Sequence, residues 1–317
     1  MNYAALAFPA LKRVRLPLTR DQLVLLMAAF NMFMLGVETY LAHLISGTIV
    51  LREWIPIIFG PIAGVLLLLA GLLSLRLRVV ASATATLVFI ASIVVGLLGA
   101  YYHLTRAVLP AAPAGAQVSI LLLIWAPPIL GPLTFALVGV FGISAAWIES
   151  PPDSGVLSLP GGLRLALPFS KTRAFLFAVS LGSLATVISS VLDHARTNFT
   201  NPWLWLPTGI GIFATATAAT LGLIANPTRG DIRTYIVGML LMILAGLLGL
   251  LLHVQFDLTS QGTIVIERFL RGAPFLAPML YADIGLWGLI VILDPSERQE
   301  VEAAQDTALP IPGTNPI

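Results

Sequence analysis

The stretch RTYIVGMLLMILAGLLGLLLHV, residues 233–254, decides the fold class. Between Arg233 and His253 it carries no charged side chain, and about 20 apolar residues are what a helix needs to cross a bilayer. Over the whole chain, 58% of residues are hydrophobic and 10% are charged, against about 25% charged residues in soluble domains. The sequence therefore predicts an all-α integral membrane protein.

Seven further apolar blocks extend this prediction to eight transmembrane helices. The expected spans are roughly 22–46, 55–75, 80–104, 117–148, 173–194, 203–225, 233–254 and 273–293. They leave no soluble domain, so the lipid bilayer is the main partner and no nucleic-acid interface is expected. The chain has no cysteine, which excludes disulfides, thiolate metal sites and iron–sulfur clusters.

The distribution of basic residues predicts the orientation. With the N-terminus in the cytoplasm, twelve of the 17 Lys and Arg residues fall on the cytoplasmic side and five on the other. Short loops rich in Lys and Arg stay inside. We therefore expect a multi-pass protein of the cell membrane with both termini in the cytoplasm.

An internal repeat is visible in the third and seventh spans. Residues 96–103 read GLLGAYYH and residues 246–253 read GLLGLLLH. The first and fifth spans match through His43 and His194, and the fourth and eighth spans match through their prolines and glycines. Each unit has four spans, so we expect two tandem parallel repeats related by a pseudo-two-fold axis along the membrane normal.

The repeat divides the chain into five segments. We expect a cytoplasmic N-terminal segment, two four-helix repeats, a cytoplasmic linker rich in Gly and Pro, and a cytoplasmic tail. Their ranges are 1–21, 22–149, 150–172, 173–294 and 295–317.

The four histidines of the chain all stand at repeat-equivalent positions near the extracytoplasmic ends of odd-numbered helices. They are His43, His103, His194 and His253. Imidazole is a common ligand of metals and of haem iron, so this layer predicts a site for haem, a chlorin or a transition metal. Gly99 and Gly249 lie one turn below two of the histidines, where a groove without side chains would admit a flat ring.

A structural interpretation accounts for the same residues. Small residues at this spacing let helices approach closely, and interfacial histidines often only form hydrogen bonds. Two acidic residues, Glu38 and Asp283, lie inside expected spans, where a carboxyl is costly and often functional. Neither has an acidic partner at its repeat-equivalent position. Asp193 adjoins His194 on one helix, where side chains diverge, and is more suited to serve another histidine.

Three functions follow from these patterns. The first is a membrane subunit that holds a redox cofactor or metal for electron transport at the histidine layer. The second is a structural or assembly subunit of a larger membrane complex, without a cofactor of its own. The third is a transporter or channel, which would use the intramembrane carboxyls. Nucleotide-binding and hydrolase motifs are absent from the sequence.

Overall fold

Six long helices dominate the computed structural model, which describes residues 3–10, 17–74, 77–259, 262, 264 and 267–293. Each is long and apolar enough to cross a membrane. They are α2 (Arg20–Ser46), α3 (Trp54–Leu73), α4 (Arg78–Ala107), α7 (Lys171–Ala195), α8 (Trp205–Leu223) and α9 (Arg229–Thr259). The chain is therefore a multi-pass helical membrane protein, as the composition predicted.

Side-chain caps fix the start of two of these helices. Thr19 accepts a hydrogen bond from the backbone N–H of Gln22 and begins α2, while Gln22 reaches back to Thr19. Ser170 begins α7 by accepting from the N–H of Arg173. Such caps satisfy N–H groups that have no partner inside the helix.

The remaining helices are shorter than the sequence predicted. The fourth expected span, 117–148, is broken into α5 (Ile120–Trp125) and α6 (Leu130–Ala146). The break falls at Pro127 and Pro128, and proline both lacks an N–H and disfavours helix in the residue before it. The eighth expected span, 273–293, contains α11 (Met279–Val291), while α10 (Arg268–Arg271) ends before that span begins. The 13 residues of α11 cover only about 20 Å.

Four helices in the first half of the chain pack in a closed ring. Helix α2 contacts α3 and α6, and α4 contacts the same two helices. Helices α2 and α4 therefore lie diagonally opposite each other. In the second half, α7 and α9 both contact α8 and α11. They are likewise diagonal neighbours.

The two groups of helices meet along α6 and α11. Helix α6 contacts α7, and α11 contacts α2. Near the middle of this interface Phe141 and Trp287 pack with ring centroids 4.6 Å apart. Both side chains are buried.

Charged side chains close one end of this interface. Lys171 Nζ lies 2.7 Å from Asp21 Oδ2, and Arg20 donates to Thr172 Oγ1 at 2.7 Å. All four residues are buried. The N-terminal ends of α2 and α7 are thus joined by two contacts. In one of them the cation belongs to α7, and in the other it belongs to α2.

The segment between the two groups of helices is folded rather than extended. A small antiparallel sheet is formed by β1 (Ile148–Glu149), β2 (Val156–Ser158) and β3 (Arg164–Ala166). Glu149 is buried and accepts backbone hydrogen bonds from Gly155 and Lys171 at 2.7 and 2.9 Å. The Gly- and Pro-rich composition did not indicate these strands.

Part of the N-terminal segment is also packed. Helix α1 (Tyr3–Ala7) contacts α9, and the N–H of Ala4 donates to the carbonyl of Ile292 at 3.1 Å. Residues 1, 2 and 11–16 of the expected N-terminal segment, and the whole expected tail, 295–317, lie outside the described residues.

Candidate metal-binding histidines

The first two histidines come together at the end of the bundle where α2 and α4 terminate, called here the histidine end. His43 lies in the last turns of α2, and His103 in those of α4. Their ring centroids are 6.2 Å apart, with the planes inclined at 67°. Both side chains are partly buried. Two diagonal helices thus direct imidazoles toward each other across the end of one bundle.

Backbone carbonyls fix the tautomer of this first pair. Nδ1 of His43 lies 2.8 Å from the carbonyl of Thr39, and Nδ1 of His103 lies 2.8 Å from that of Pro128. A carbonyl oxygen only accepts, so each Nδ1 carries a proton. Each Nε2 of the neutral ring then keeps a lone pair, which is the form that binds metals.

The proline break supplies one of these carbonyls. Pro128 lies between α5 and α6, outside any helical ladder. Its oxygen is therefore available to a side chain, as expected where proline interrupts a membrane helix in contact with protein.

The second pair, His194 and His253, shares part of this arrangement. Nδ1 of His253 lies 3.1 Å from the carbonyl of Pro274, while Nδ1 of His194 lies 3.4 Å from the hydroxyl of Ser190. His194 makes an edge-on contact with Phe199, with centroids 6.2 Å apart.

A carboxylate–arginine ion pair lies close in sequence to a histidine in each half of the chain. Glu53 lies 3.6 Å from Arg106, which follows His103 by three residues. Asp193, which adjoins His194, lies 3.8 Å from Arg196. Each of these carboxylates is thus paired with an arginine at the histidine end.

The space beside Gly99 and Gly249 is filled by the neighbouring helix. A Cβ on Gly99 would lie 2.7 Å from Cβ of Pro132, and one on Gly249 would lie 2.6 Å from Cβ of Pro278. These glycines therefore let the α4–α6 and α9–α11 pairs approach closely, and the contacts leave no groove for a flat ring at this level.

The two intramembrane carboxyls occupy separate environments. Asp283 accepts a hydrogen bond from the Asn31 amide at 3.0 Å. Glu38 is exposed on α2, and within the described part of the chain no hydrogen bond or ion pair to it is found. Neither carboxyl joins the histidines.

No group of three or more His, Cys, Asp or Glu side chains suited to hold a metal occurs among the described residues. The ring contact between His43 and His103 makes these two residues the candidate ligand pair within the described part of the chain, and a site that includes His194 and His253 stays a prediction. Sequence reasoning missed Thr39 and Ser190, which support the histidines. Their position four residues before His43 and His194 was a usable signal, because residues at this spacing lie on one helix face.

The fold and the histidine pairs define a multi-pass helical membrane protein with imidazole pairs at one end of its helices. Comparison with protein-family models, with curated proteins and with solved structures finds no match to this chain.

Proposed function

We propose that this protein is a membrane subunit that holds a redox-active metal centre between His43 and His103. The observation that carries the proposal is the convergence of two imidazoles from diagonal helices, each with Nδ1 hydrogen-bonded to a carbonyl. Cofactor sites in helical bundles are commonly built from side chains on facing helices.

The distance between the rings suits a shared metal. An imidazole nitrogen binds a metal at about 2.0 to 2.1 Å, so two rings on opposite sides of one ion have centroids roughly 6 Å apart. The observed separation is 6.2 Å. Two nitrogens complete the coordination of iron in a tetrapyrrole, whereas a bare ion would need further ligands. Both alternatives use the same Nε2 atoms.

The surroundings of this pair also suit a metal cation. The carbonyl partners hold each ring in one orientation, and such partners raise the basicity of the coordinating nitrogen. These residues bind and orient the metal, and a bound redox metal would supply electron transfer.

We further propose that the chain consists of eight spans in two tandem repeats, with both termini in the cytoplasm and the histidine end outside. Equivalent contacts support the repeat. A Cβ on Gly96 would lie 2.5 Å from the backbone nitrogen of Ala136, and one on Gly246 would lie 2.5 Å from that of Ala282. Reporter fusions after Pro113 and Gly161 test the orientation, and a cytoplasmic result for Pro113 would contradict it.

Association with other membrane subunits is the second candidate function. The observation in its favour is Glu38, an exposed carboxyl within a helix suited to span a membrane. A charge facing hydrocarbon costs about 2.5 kcal/mol or more, so a donor from a partner protein would stabilise it. Glu38→Gln should weaken co-purification of such a partner, and an unchanged complex would count against this surface.

Metal analysis and a visible absorption spectrum of the purified protein test the main proposal. We expect a bound transition metal, with an intense tetrapyrrole band if a tetrapyrrole carries it. His43→Ala and His103→Ala should each remove it. Thr105→Ala is the matched control, because Thr105 is exposed at the same end of α4 and only bonds the carbonyl of Tyr102.

Two results would contradict the proposed metal site. If the wild-type protein holds no metal under loading conditions, or if the His43→Ala and His103→Ala variants keep the metal and its spectrum, the imidazoles are interfacial hydrogen-bonding groups. The structural-subunit function would then be preferred.

A further inference from the structure

An open groove follows the start of α3 at the histidine end. It has a volume of about 590 Å³, and ligand sites commonly occupy about 300 to 1,000 Å³. One arginine lies among side chains that are otherwise aliphatic or aromatic. The groove, called here the α3 groove, is lined by Leu51, Arg52, Trp54, Ile55, Ile58 and Phe59.

The α3 groove extends from the headgroup level of a membrane into its hydrocarbon. Helix α3 has 20 residues and is therefore about 30 Å long, which equals the hydrocarbon thickness of a bilayer. Its first residue, Trp54, then lies at the interface, where tryptophan is enriched. Arg52 precedes it on the headgroup side, and Ile58 lies about 6 Å deeper than Trp54. One end of the groove is thus cationic, and the other end is apolar.

The guanidinium of Arg52 has no anionic partner among the described residues. The neighbouring carboxylate, Glu53, is engaged elsewhere, because its Oε1 lies 3.6 Å from Arg106 and its Oε2 accepts from the N–H of Val50 at 3.0 Å. The Arg52 guanidinium instead lies over the ring of Tyr102, 5.3 Å from the centroid. Two arginines and one glutamate leave this corner of the bundle with a net positive charge.

We propose that the α3 groove binds one anionic phospholipid, with the headgroup phosphate on Arg52 and an acyl chain along Ile55 and Ile58. A guanidinium presents N–H donors in a geometry that matches the oxygens of a phosphate. The contact with the Tyr102 ring keeps this guanidinium at the headgroup level. The net positive charge favours a headgroup with a net negative charge over a zwitterionic one.

The corresponding surface of the second half lacks both parts of this site. By the proposed repeat, Arg52 corresponds to Trp203, and Ile58 corresponds to Gly209. Tryptophan carries no charge, and glycine has no side chain that could contact an acyl chain. We therefore expect one tightly bound phospholipid per chain rather than two.

Native mass spectrometry of delipidated protein tests the site, with phosphatidylglycerol and phosphatidylcholine of the same acyl chains as probes. The wild type should bind one phosphatidylglycerol about tenfold more tightly than phosphatidylcholine, as expected for a hydrogen bond between charged groups. Arg52→Gln should remove this preference. Arg164→Gln is the matched control, because it removes one exposed arginine charge on β3 and should keep the preference. Equal affinities in the wild type, or a preference that survives in Arg52→Gln, would overturn the proposal.

A second variant tests the apolar part of the groove. The Ile58 side chain is 53% exposed, so the fold should tolerate Ile58→Trp, which fills the groove. This variant should lower the affinity for both lipids alike, and inorganic phosphate alone should not displace the lipid from the wild type. Unchanged lipid binding in Ile58→Trp would overturn the proposal. Displacement by phosphate would make this a site for free anions and would overturn it as well.

Other occupants of the α3 groove are detected in the same spectra. A neutral long-chain quinone that binds more tightly than phosphatidylglycerol would overturn the proposal. A lipid-free dimer that Ile58→Trp dissociates would also overturn it, because a second copy of the chain would then fill the groove. None of these measurements depends on a bound metal, so a failure of the proposed metal site leaves the lipid site intact.

Discussion

The two halves of the chain use similar helix contacts but fill their interiors differently. In the first bundle, Ser92 is hydrogen-bonded to the carbonyl of Phe135 at 2.6 Å and lies 3.5 Å from the sulfur of Met32. By the proposed repeat, Met32 corresponds to Ser183 in the second bundle, and Ser92 corresponds to Met242. Ser183 is buried, and its hydroxyl has no hydrogen-bond partner among the described residues. The two bundles thus share their helix-to-helix contacts, while their buried polar side chains differ.

The interface between the halves shows the same divergence. Asn31 on α2 bonds Asp283 on α11. By the proposed repeat, this contact corresponds to that of Gly182 on α7 with Leu137 on α6, where a Cβ on Gly182 would lie 3.4 Å from Cδ2 of Leu137. The first of these interface contacts is polar, and the second is apolar. The comparison teaches that close glycine contacts are common to both halves, and that individual side chains give each half its own chemistry.

The largest expected effect comes from breaking the charged contact that joins the halves. Lys171→Met leaves Asp21 buried without its 2.7 Å partner. Removing one partner of a buried ion pair costs about 3 to 5 kcal/mol, so the free energy of unfolding in detergent should fall by that amount. Arg164→Met, at an exposed basic residue of β3, should change it little. A loss as small as that of the control would show that the contact does not join the halves.

A smaller and equal effect is expected at the matched glycines. In both Gly96→Ala and Gly246→Ala the new Cβ would meet a backbone nitrogen at 2.5 Å, and overpacking costs about 1 to 3 kcal/mol. Thermal unfolding should show similar losses in the two variants. Gly71→Ala is the control, because nothing lies within 4 Å of its Cβ position. Clearly unequal losses would argue against equivalent packing.

Exchanging Phe135 and Tyr281, which correspond by the proposed repeat, should give unequal effects. Phe135→Tyr places a hydroxyl in the apolar first bundle, and an unsatisfied buried hydroxyl costs about 1 to 3 kcal/mol. Tyr281→Phe removes a hydroxyl that has no direct hydrogen bond and should be close to neutral. Chemical unfolding of the two variants measures the difference. Equal losses would mean that the two interiors are equally polar.

The smallest effect is expected for the contact of Asn31 with Asp283 across the interface. The double variant Asn31→Gly with Asp283→Leu places there the residue types of the apolar contact between Gly182 and Leu137. Hydrogen bonds between membrane helices contribute about 0.6 kcal/mol on average, so the unfolding free energy should change by roughly that amount. A loss of several kcal/mol in unfolding measurements would give this pair a larger structural role than its counterpart.

The sequence was sufficient for features that depend on local pattern. The apolar blocks predicted the long helices to within a few residues, because the bilayer imposes one length and one polarity on every span. The sequence also placed His43 and His103 at one end of the bundle, because each lies near the C-terminal end of its helix and the two helices run in the same direction. Their pairing remains a prediction with respect to metal binding.

Features that depend on contacts between distant residues were not predictable. The contact between Asp21 and Lys171 joins residues 150 positions apart, and neither local sequence indicates its partner. Pro132 and Pro278 fill the space beside Gly99 and Gly249, and this contact depends on which helices pack together. The strands between residues 148 and 166 depend on buried Glu149, whose backbone partners cannot be identified from composition.

The reciprocal charges at the ends of α2 and α7 also impose an order on the synthesis of the chain. Arg20 and Asp21 leave the ribosome about 150 residues before Lys171 and Thr172. At ordinary translation rates this interval is on the order of 10 s. We expect Arg20 and Asp21 to stay in contact with water or lipid headgroups during this interval, because Lys171 and Thr172 have not yet been made. The interface can close only when α7 arrives, so the completed contact marks the point at which the second half has been inserted in the correct direction.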